Sequence, residues 1–295
     1  MTFFVLVFVF VLFFVFVASR FVGAPLRFVK VIVNVIVNSS LFTSEAFHSS
    51  LAKLASRIVP VVVLVNVNVK LLSQTVIGTP GLLNIPTAEV RQGGTFDGGA
   101  SLVQKELQTE SMNYNTGLYY INFAPFSFFD ITLRETLIKE HKYLNDPNSE
   151  VGFYQQDRSL SLRVRPIREQ EGKWWPSVLV GANDFYSSHG DSYYAAVYGV
   201  VTKTLPLKGI GNFSVTAGFA KPIRMGVLYK GAFGGVSYTP AFAPMVRVMG
   251  EYDTRGVNVG VGAHLFRHLN LTCFTREFKG ISATVSYQYT IRFKQ

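Results

Sequence analysis

Ile281-Ser282-Ala283-Thr284-Val285-Ser286-Tyr287-Gln288-Tyr289-Thr290-Ile291-Arg292-Phe293 alternates without a break. Its odd-numbered positions are apolar or aromatic and its even-numbered positions are polar. Successive side chains of a β-strand point to opposite faces, so this segment reads as a strand with one greasy side and one wet side. The same register recurs upstream. Val257, Val259, Val261, Ala263 and Leu265 oppose Asn258, Gly260, Gly262 and His264. Val246, Val248, Gly250 and Tyr252 oppose Arg247, Met249, Glu251 and Asp253. Leu160, Leu162 and Val164 oppose Ser159, Ser161, Arg163 and Arg165, and Phe129, Ile131 and Leu133 oppose Asp130, Thr132 and Arg134.

Further strands are expected near 98–106, 114–124, 176–186, 193–203, 211–220, 230–239 and 269–277. Turn-forming residues separate them: Asn145-Asp146-Pro147-Asn148-Ser149, Glu171-Gly172-Lys173, Ser188-His189-Gly190-Asp191 and Thr254-Arg255-Gly256, with Pro240 and Pro244 around another connection. The count is about twelve, within about ten to fourteen, and an even number suits a bacterial outer-membrane barrel.

Composition narrows the choice. Hydrophobic residues make up 48% of the 295 and charged residues 16%, with 26 Phe and 14 Tyr. Beyond the first twenty residues no apolar run is long enough for a spanning helix, which needs about 20 residues. A soluble sandwich would alternate too. Two features favour lipid on the apolar face: ionisable groups stand in mid-strand on the polar face, and aromatics gather near strand ends. Trp174, Trp175, Tyr287, Tyr289 and Phe293 are the expected girdle at the edge of the hydrocarbon. An open sheet edge cannot sit in hydrocarbon, where an unpaired N–H or C=O costs several kcal/mol, so the first and last strands are expected to pair. The fold expected is all-β: one closed antiparallel transmembrane β-barrel over residues 77–295.

Residues 1–76 have another character. Phe3 to Val17 are all apolar and are followed by Ala18-Ser19-Arg20, as in the core and cleavage site of a secretory signal, but no basic stretch precedes them. Ile58 to Val69 form a second, shorter apolar stretch after Lys53 and Arg57. The region reads either as a long export leader or as sequence ahead of the true start. Both readings place the remainder outside the inner membrane, and the barrel expected there belongs in the outer membrane of a Gram-negative-type bacterium.

The order of residues adds a resemblance. Gly78-Thr79-Pro80-Gly81-Leu82-Leu83-Asn84-Ile85-Pro86-Thr87-Ala88 resembles the opening GxxGLLNxPTA of the YjbH-type exopolysaccharide outer-membrane family. Asp157-Arg158-Ser159, opening the strand to Arg165, is similar to that family's D(K/R)S strand. Trp175-Pro176-Ser177-Val178-Leu179-Val180-Gly181-Ala182-Asn183-Asp184-Phe185 resembles its PxxxxGxxDF strand, and Tyr193 to Lys203 the strand that follows. The motif positions are Gly81, Asn84, Pro86, Asp157, Ser159, Pro176, Gly181, Asp184 and Lys203. The resemblance implies an outer-membrane barrel that serves exopolysaccharide or capsule assembly or export. The partners expected are outer-membrane lipid, an anionic polysaccharide and periplasmic or outer-membrane export proteins.

Candidate chemistry is sparse. Arg134, Arg163, Arg165, Arg247 and Arg292 fall on the polar register, where guanidinium forks pair with carboxylates. Two outcomes are open: a basic path for an acidic glycan, or arginines paired with Asp130, Glu251, Asp253 and their neighbours across a filled lumen. Asp184 lacks a partner acid or His at catalytic spacing and reads as a turn cap. His264 and His268 span a turn with Arg267 and Asn270, so no metal site is expected. Ser187, Ser188 and His189 are adjacent in sequence, and loop neighbours rarely make a triad; a membrane-embedded hydrolase is the remote alternative. Gly234-Gly235 and Gly260-x-Gly262 read as bends, or as room for lumen side chains from opposite walls. The single Cys273 excludes an internal disulfide and reads as a buried or lipid-facing thiol. The net charge of +10 is spread along the chain without a binding motif, which disfavours nucleic acid. No catalytic residue and no cofactor are expected. The alternative to an export role is a structural or adhesion barrel with a closed lumen.

Overall fold

The computed structural model describes residues 72–143, 145–188, 192–224 and 226–291. The expected leader up to residue 71 lies outside these residues, as do His189, Arg292 and Phe293.

Twelve strands form one sheet: β1 (Thr95–Val103), β2 (Thr116–Phe126), β3 (Phe129–His141), β4 (Val151–Ile167), β5 (Ser177–Ser187), β6 (Ala196–Leu207), β7 (Gly211–Pro222), β8 (Gly231–Pro240), β9 (Val246–Tyr252), β10 (Val257–Leu265), β11 (Leu269–Arg276) and β12 (Ser282–Thr290). Each pairs antiparallel with its chain neighbours. β1 pairs with β12 from Thr95↔Thr290 to Leu102↔Ala283, and the sheet closes into a barrel. The expected strand order and number hold. Where register slips, as between Phe123 and Phe126 or Leu160 and Leu162, a bulge bends the strand and lets the wall curve. Among the described residues no helix is long and apolar enough to cross a membrane.

The alternation decides the two surfaces. Leu102, Ile121, Val201, Phe219, Val236 and Val285 stand on the outer face with large exposed areas, Phe219 at 62% and Ile121 at 55%. A soluble monomer rarely exposes contiguous apolar surface on this scale. Tyr287 and Tyr289 lie outward near the rim that carries both chain ends of the barrel. The connection between β4 and β5 places Trp174, 85% exposed, at the same rim with Trp175. Phe126 and Phe128 stack there at 5.4 Å. Tyr119, Tyr186 and Tyr252 are exposed near the opposite rim. Cys273, on the outward register of β11, is partly exposed.

The inner face is polar and buried. Asp97, Asn122, Asp130, Arg134, Arg163 and Asn258 are at most 2% exposed. Polar groups so enclosed need partners, and the source of those partners departs from expectation. The wall begins at Thr95, close to the first strand expected near 98–106. Residues 72–94 are not part of the sheet; they fill its interior.

Candidate functional site

The segment from Leu72 to Gly94 holds two prolines, Pro80 and Pro86, that bar a helix, and it has no period-2 pattern for a strand. It folds instead into a compact coil. Thr75 N donates to Thr79 O (2.8 Å), Val76 N to Leu83 O (2.9 Å), Gly81 N to Ser73 O (3.0 Å) and Leu82 N to Ile85 O (3.0 Å). A Cβ on Gly81 would overlap Ile85 O and the Thr75 methyl, so this coil closes only on glycine. Val76, Ile77, Leu82, Leu83, Ile85 and Ala88 are all at most 1% exposed.

What the coil cannot bond within itself, the wall supplies. Glu251 of β9 accepts the backbone N–H groups of Leu83 (3.0 Å), Asn84 (2.7 Å) and Ile85 (3.3 Å), and the Asn258 amide (2.9 Å). Arg163 of β4 does the reverse. Its guanidinium is fixed by Asp130 (2.8 to 3.1 Å) and donates to the carbonyls of Pro80 (2.5 Å), Thr87 (3.3 Å) and Glu89 (2.7 Å). One wall carboxylate thus holds the N–H groups at the coil's apex, and one wall guanidinium holds carbonyls from both its limbs. Charge-assisted bonds of this kind are stronger than neutral ones. Asn84 donates to Asp253 (2.5 Å) and receives the Tyr229 hydroxyl on its carbonyl (2.8 Å). Ala88 N donates to Thr202 (2.9 Å), Arg91 pairs with Asp97 (2.7 Å), and Glu89 pairs with Arg247 (3.3 Å).

The wall glycines make room for this plug. A Cβ on Gly235 would press on Leu82, and one on Gly260 on Leu83. The clearance expected for lumen side chains serves plug residues as well as the wall itself, since a Cβ on Gly260 would also meet Phe274 Cβ and Cys273 O, and one on Gly235 the Glu251 Cβ.

Four expected lumen arginines face inward. Arg134 pairs with Asp184 (2.5 Å), with its guanidinium 4.6 Å from the centroid of the Tyr194 ring. Arg163 pairs with Asp130, and Arg247 with Glu89. Arg165 donates to the carbonyl of Ser127. Arg163 and Arg247 meet at Glu89, one on its main-chain carbonyl and the other on its carboxylate, while Arg134 stands apart with Asp184. Glu251 and Asp253 do not pair with these arginines as expected. Glu251 serves the plug backbone, and Asp253 pairs with Arg276, which the sequence reading passed over although it lies on the wet register of β11. Glu89 and Arg91 were also missed; nothing periodic marks them.

The motif positions divide between plug and wall. Gly81, Asn84 and Pro86 are plug residues. Asp157 accepts the Ser187 hydroxyl (2.7 Å), and Ser159 is buried beside them on β4. Asp184, expected as a turn cap, is instead a fully buried lumen acid, bonded to Arg134, Ser161 (3.2 Å) and Ser192. Its φ of 48° marks an irregularity in β5, where the wall must bend to aim the carboxylate inward. Gly181 leaves space for the Tyr198 ring. Lys203 pairs with Glu169 (2.9 Å) and donates to Lys173 O (2.6 Å), tying down the connection that Pro176 closes at the start of β5.

Loops cover the mouth opposite the chain ends. Arg255 donates to Leu107 O (3.1 Å) and Gln108 O (2.8 Å), and Tyr194 donates to Gln108 (3.2 Å). Burial pushes the Tyr194 and Tyr229 phenols above their ordinary range, so both remain protonated donors. Burial lowers the Arg255 guanidinium, and Arg276 close by adds to this. The histidines stand apart: His264 Nδ1 meets Asn270 (2.6 Å) and His268 Nδ1 meets Gln288 O (2.8 Å). Among the described residues no three His, Cys, Asp or Glu side chains are grouped to hold a metal.

No curated protein matches the chain in sequence. Among solved structures it is similar to outer membrane phospholipase A from Escherichia coli, at 9% identity over 70% of this chain and 99% of that one, with a TM-score of 0.29. The Salmonella typhi outer membrane phospholipase dimer with bound calcium matches at 9% identity over 68% of this chain and 91% of that one, also with a TM-score of 0.29. Likeness at this level carries no argument about activity. Residues 73–228, from the start of the plug through seven strands of the wall, match the family model described as exopolysaccharide biosynthesis protein YbjH, and with more than half its length so matched the chain belongs to the YjbH family.

Proposed function

We propose that this chain is a non-enzymatic outer-membrane barrel that serves the assembly or export of an exopolysaccharide, with residues 72–94 as the plug of its own lumen. The observation that carries this reading is the pairing of the plug with Glu251 and Arg163 in a chain of the exopolysaccharide family. An enclosed, charge-latched plug is a costly arrangement for a barrel that only anchors. It suits one whose lumen must be sealed and then opened.

Sidedness follows from the connections. Turns at the chain-end rim are mostly short, such as the two residues between β2 and β3, whereas the opposite rim carries 104–115, 142–150 and 223–230. Outer-membrane barrels have short periplasmic turns and longer outer loops, so the chain-end rim is read as periplasmic. The plug then enters from the periplasm, where export proteins would reach it. Export to that membrane needs a signal sequence, which the apolar stretch of the first residues would provide.

The filled lumen also favours a second reading, a structural or adhesion barrel that never opens. Deleting the gene and measuring surface polysaccharide separates the two. The first reading expects loss or strong reduction of the polymer; unchanged polymer leaves the second.

A further inference from the structure

Near the periplasmic rim the lumen holds more cationic donor capacity than acid to fill it. Arg247 is the second residue of β9, and Arg165 stands near the end of β4, two residues beyond Arg163. Arg165 is 9% exposed and Arg247 5%. The Nε atoms of both are buried without a hydrogen-bond partner. Arg163 is matched by Asp130 of the wall. The carboxylate that Arg247 meets comes from the plug: Glu89, whose Oε2 lies 3.3 Å from Arg247 Nη1. Arg165 lies on the same inward face of β4 as Arg163, the residue that holds the Glu89 main chain. Glu89 is 6% exposed, and its main-chain carbonyl takes the Arg163 Nη2 (2.7 Å).

A buried guanidinium with spare donors is costly, and a planar carboxylate is the group that fills its fork. The wall thus carries an anion site into which the plug lends one side chain and in which donors remain over.

We propose that Arg165 and Arg247 form a binding site for a carboxylate-bearing sugar residue, and that Glu89 holds the place of that carboxylate while the lumen is closed. An acidic glycan arriving from the periplasm exchanges for Glu89. The limb from Pro86 to Gln92 then loses its charged tie to β9 and loosens, still held by Arg163, Thr202 and the Arg91–Asp97 pair. The exchange breaks and makes no covalent bond: one carboxylate leaves a guanidinium and another takes its place. The inference rests on the exopolysaccharide reading and adds the ligand class and the residue it competes with.

The test uses the full chain, purified and folded in detergent, with Cys273→Ser and Thr87→Cys. Thr87 is buried in this limb, so a water-soluble maleimide reports its loosening. Oligogalacturonate is expected to speed labelling at least about tenfold, a shift in the open population worth about 1.4 kcal/mol. Maltooligosaccharide of equal length is expected to leave the rate unchanged. Glu89→Gln should raise the rate without ligand, and Arg247→Gln should abolish the response to oligogalacturonate. An unchanged rate with oligogalacturonate, in protein whose heat-modifiable migration shows it folded, overturns the proposal, as does equal acceleration by the neutral sugar. Should Arg247→Gln fail to fold, Glu89→Gln decides: a ligand-free rate equal to that of the parent contradicts the proposal. Loss of surface polymer on gene deletion with no oligogalacturonate effect leaves the function and removes this site. The converse pair of results keeps the site and removes the export role.

Discussion

At Glu251 a single carboxylate replaces the backbone partners that an irregular segment cannot find for itself. The alternation of β9 already placed this residue on the wet face; what it could not reveal was that the acceptor serves three N–H groups 166 to 168 residues away. Glu251→Leu leaves those groups buried and unpaired, at about 1–3 kcal/mol each. Urea unfolding in lipid vesicles should register a loss of about 3 kcal/mol or more, and a loss under 1 kcal/mol would show that water or rearrangement replaces the carboxylate. Arg163 offers a sharper comparison. Arg163→Met strands Asp130 in the lumen and is expected to cost about 3–5 kcal/mol, whereas Arg163→Met with Asp130→Leu removes the uncompensated charge and recovers part of that. If the double variant is as unstable as the sum of the two single ones, the carbonyls of the plug, not Asp130, are what Arg163 stabilises.

The strands were legible because their environment differs from one face to the other. On β12, Val285 faces out between Ala100 of β1 and Leu271 of β11, while Thr284 and Ser286 face in. A period of two survives wherever one side meets an apolar medium and the other a polar interior. Val285→Arg should therefore cost about 2–4 kcal/mol of folding free energy in lipid, falling towards zero for the same change near a rim. Equal tolerance at both depths would mean that the outer face does not meet hydrocarbon. The plug left no such trace. Its backbone bonds go to scattered side chains of β4, β6 and β9, so neither a period of two nor one of 3.6 is imposed on its sequence. Only its glycines, prolines and the pair Leu82-Leu83 stood out, and these suggested a family without suggesting a place. The missing clue lay in the wall, where Gly235 and Gly260 leave space that a filled barrel of twelve strands needs for Leu82 and Leu83.

For the molecule as a whole, charge balance distinguishes a sealed barrel from a basic channel. Arg91–Asp97, Arg134–Asp184, Arg163–Asp130, Arg247–Glu89 and Arg276–Asp253 pair off inside, so most of the lumen arginines that the register revealed already have acids. Two of those pairs use plug residues, and they would be broken if the plug left. The sequence could show which way an arginine points, but pairing depends on which strand lies opposite and on a segment that no ladder records. Conductance addresses this most directly. In planar bilayers the full chain is expected to pass no steady current, while a variant lacking residues 73–91 but retaining the wall should fold and conduct. Steady current through the intact chain, or a silent but folded deletion variant, would contradict a lumen sealed by its own N-terminal segment.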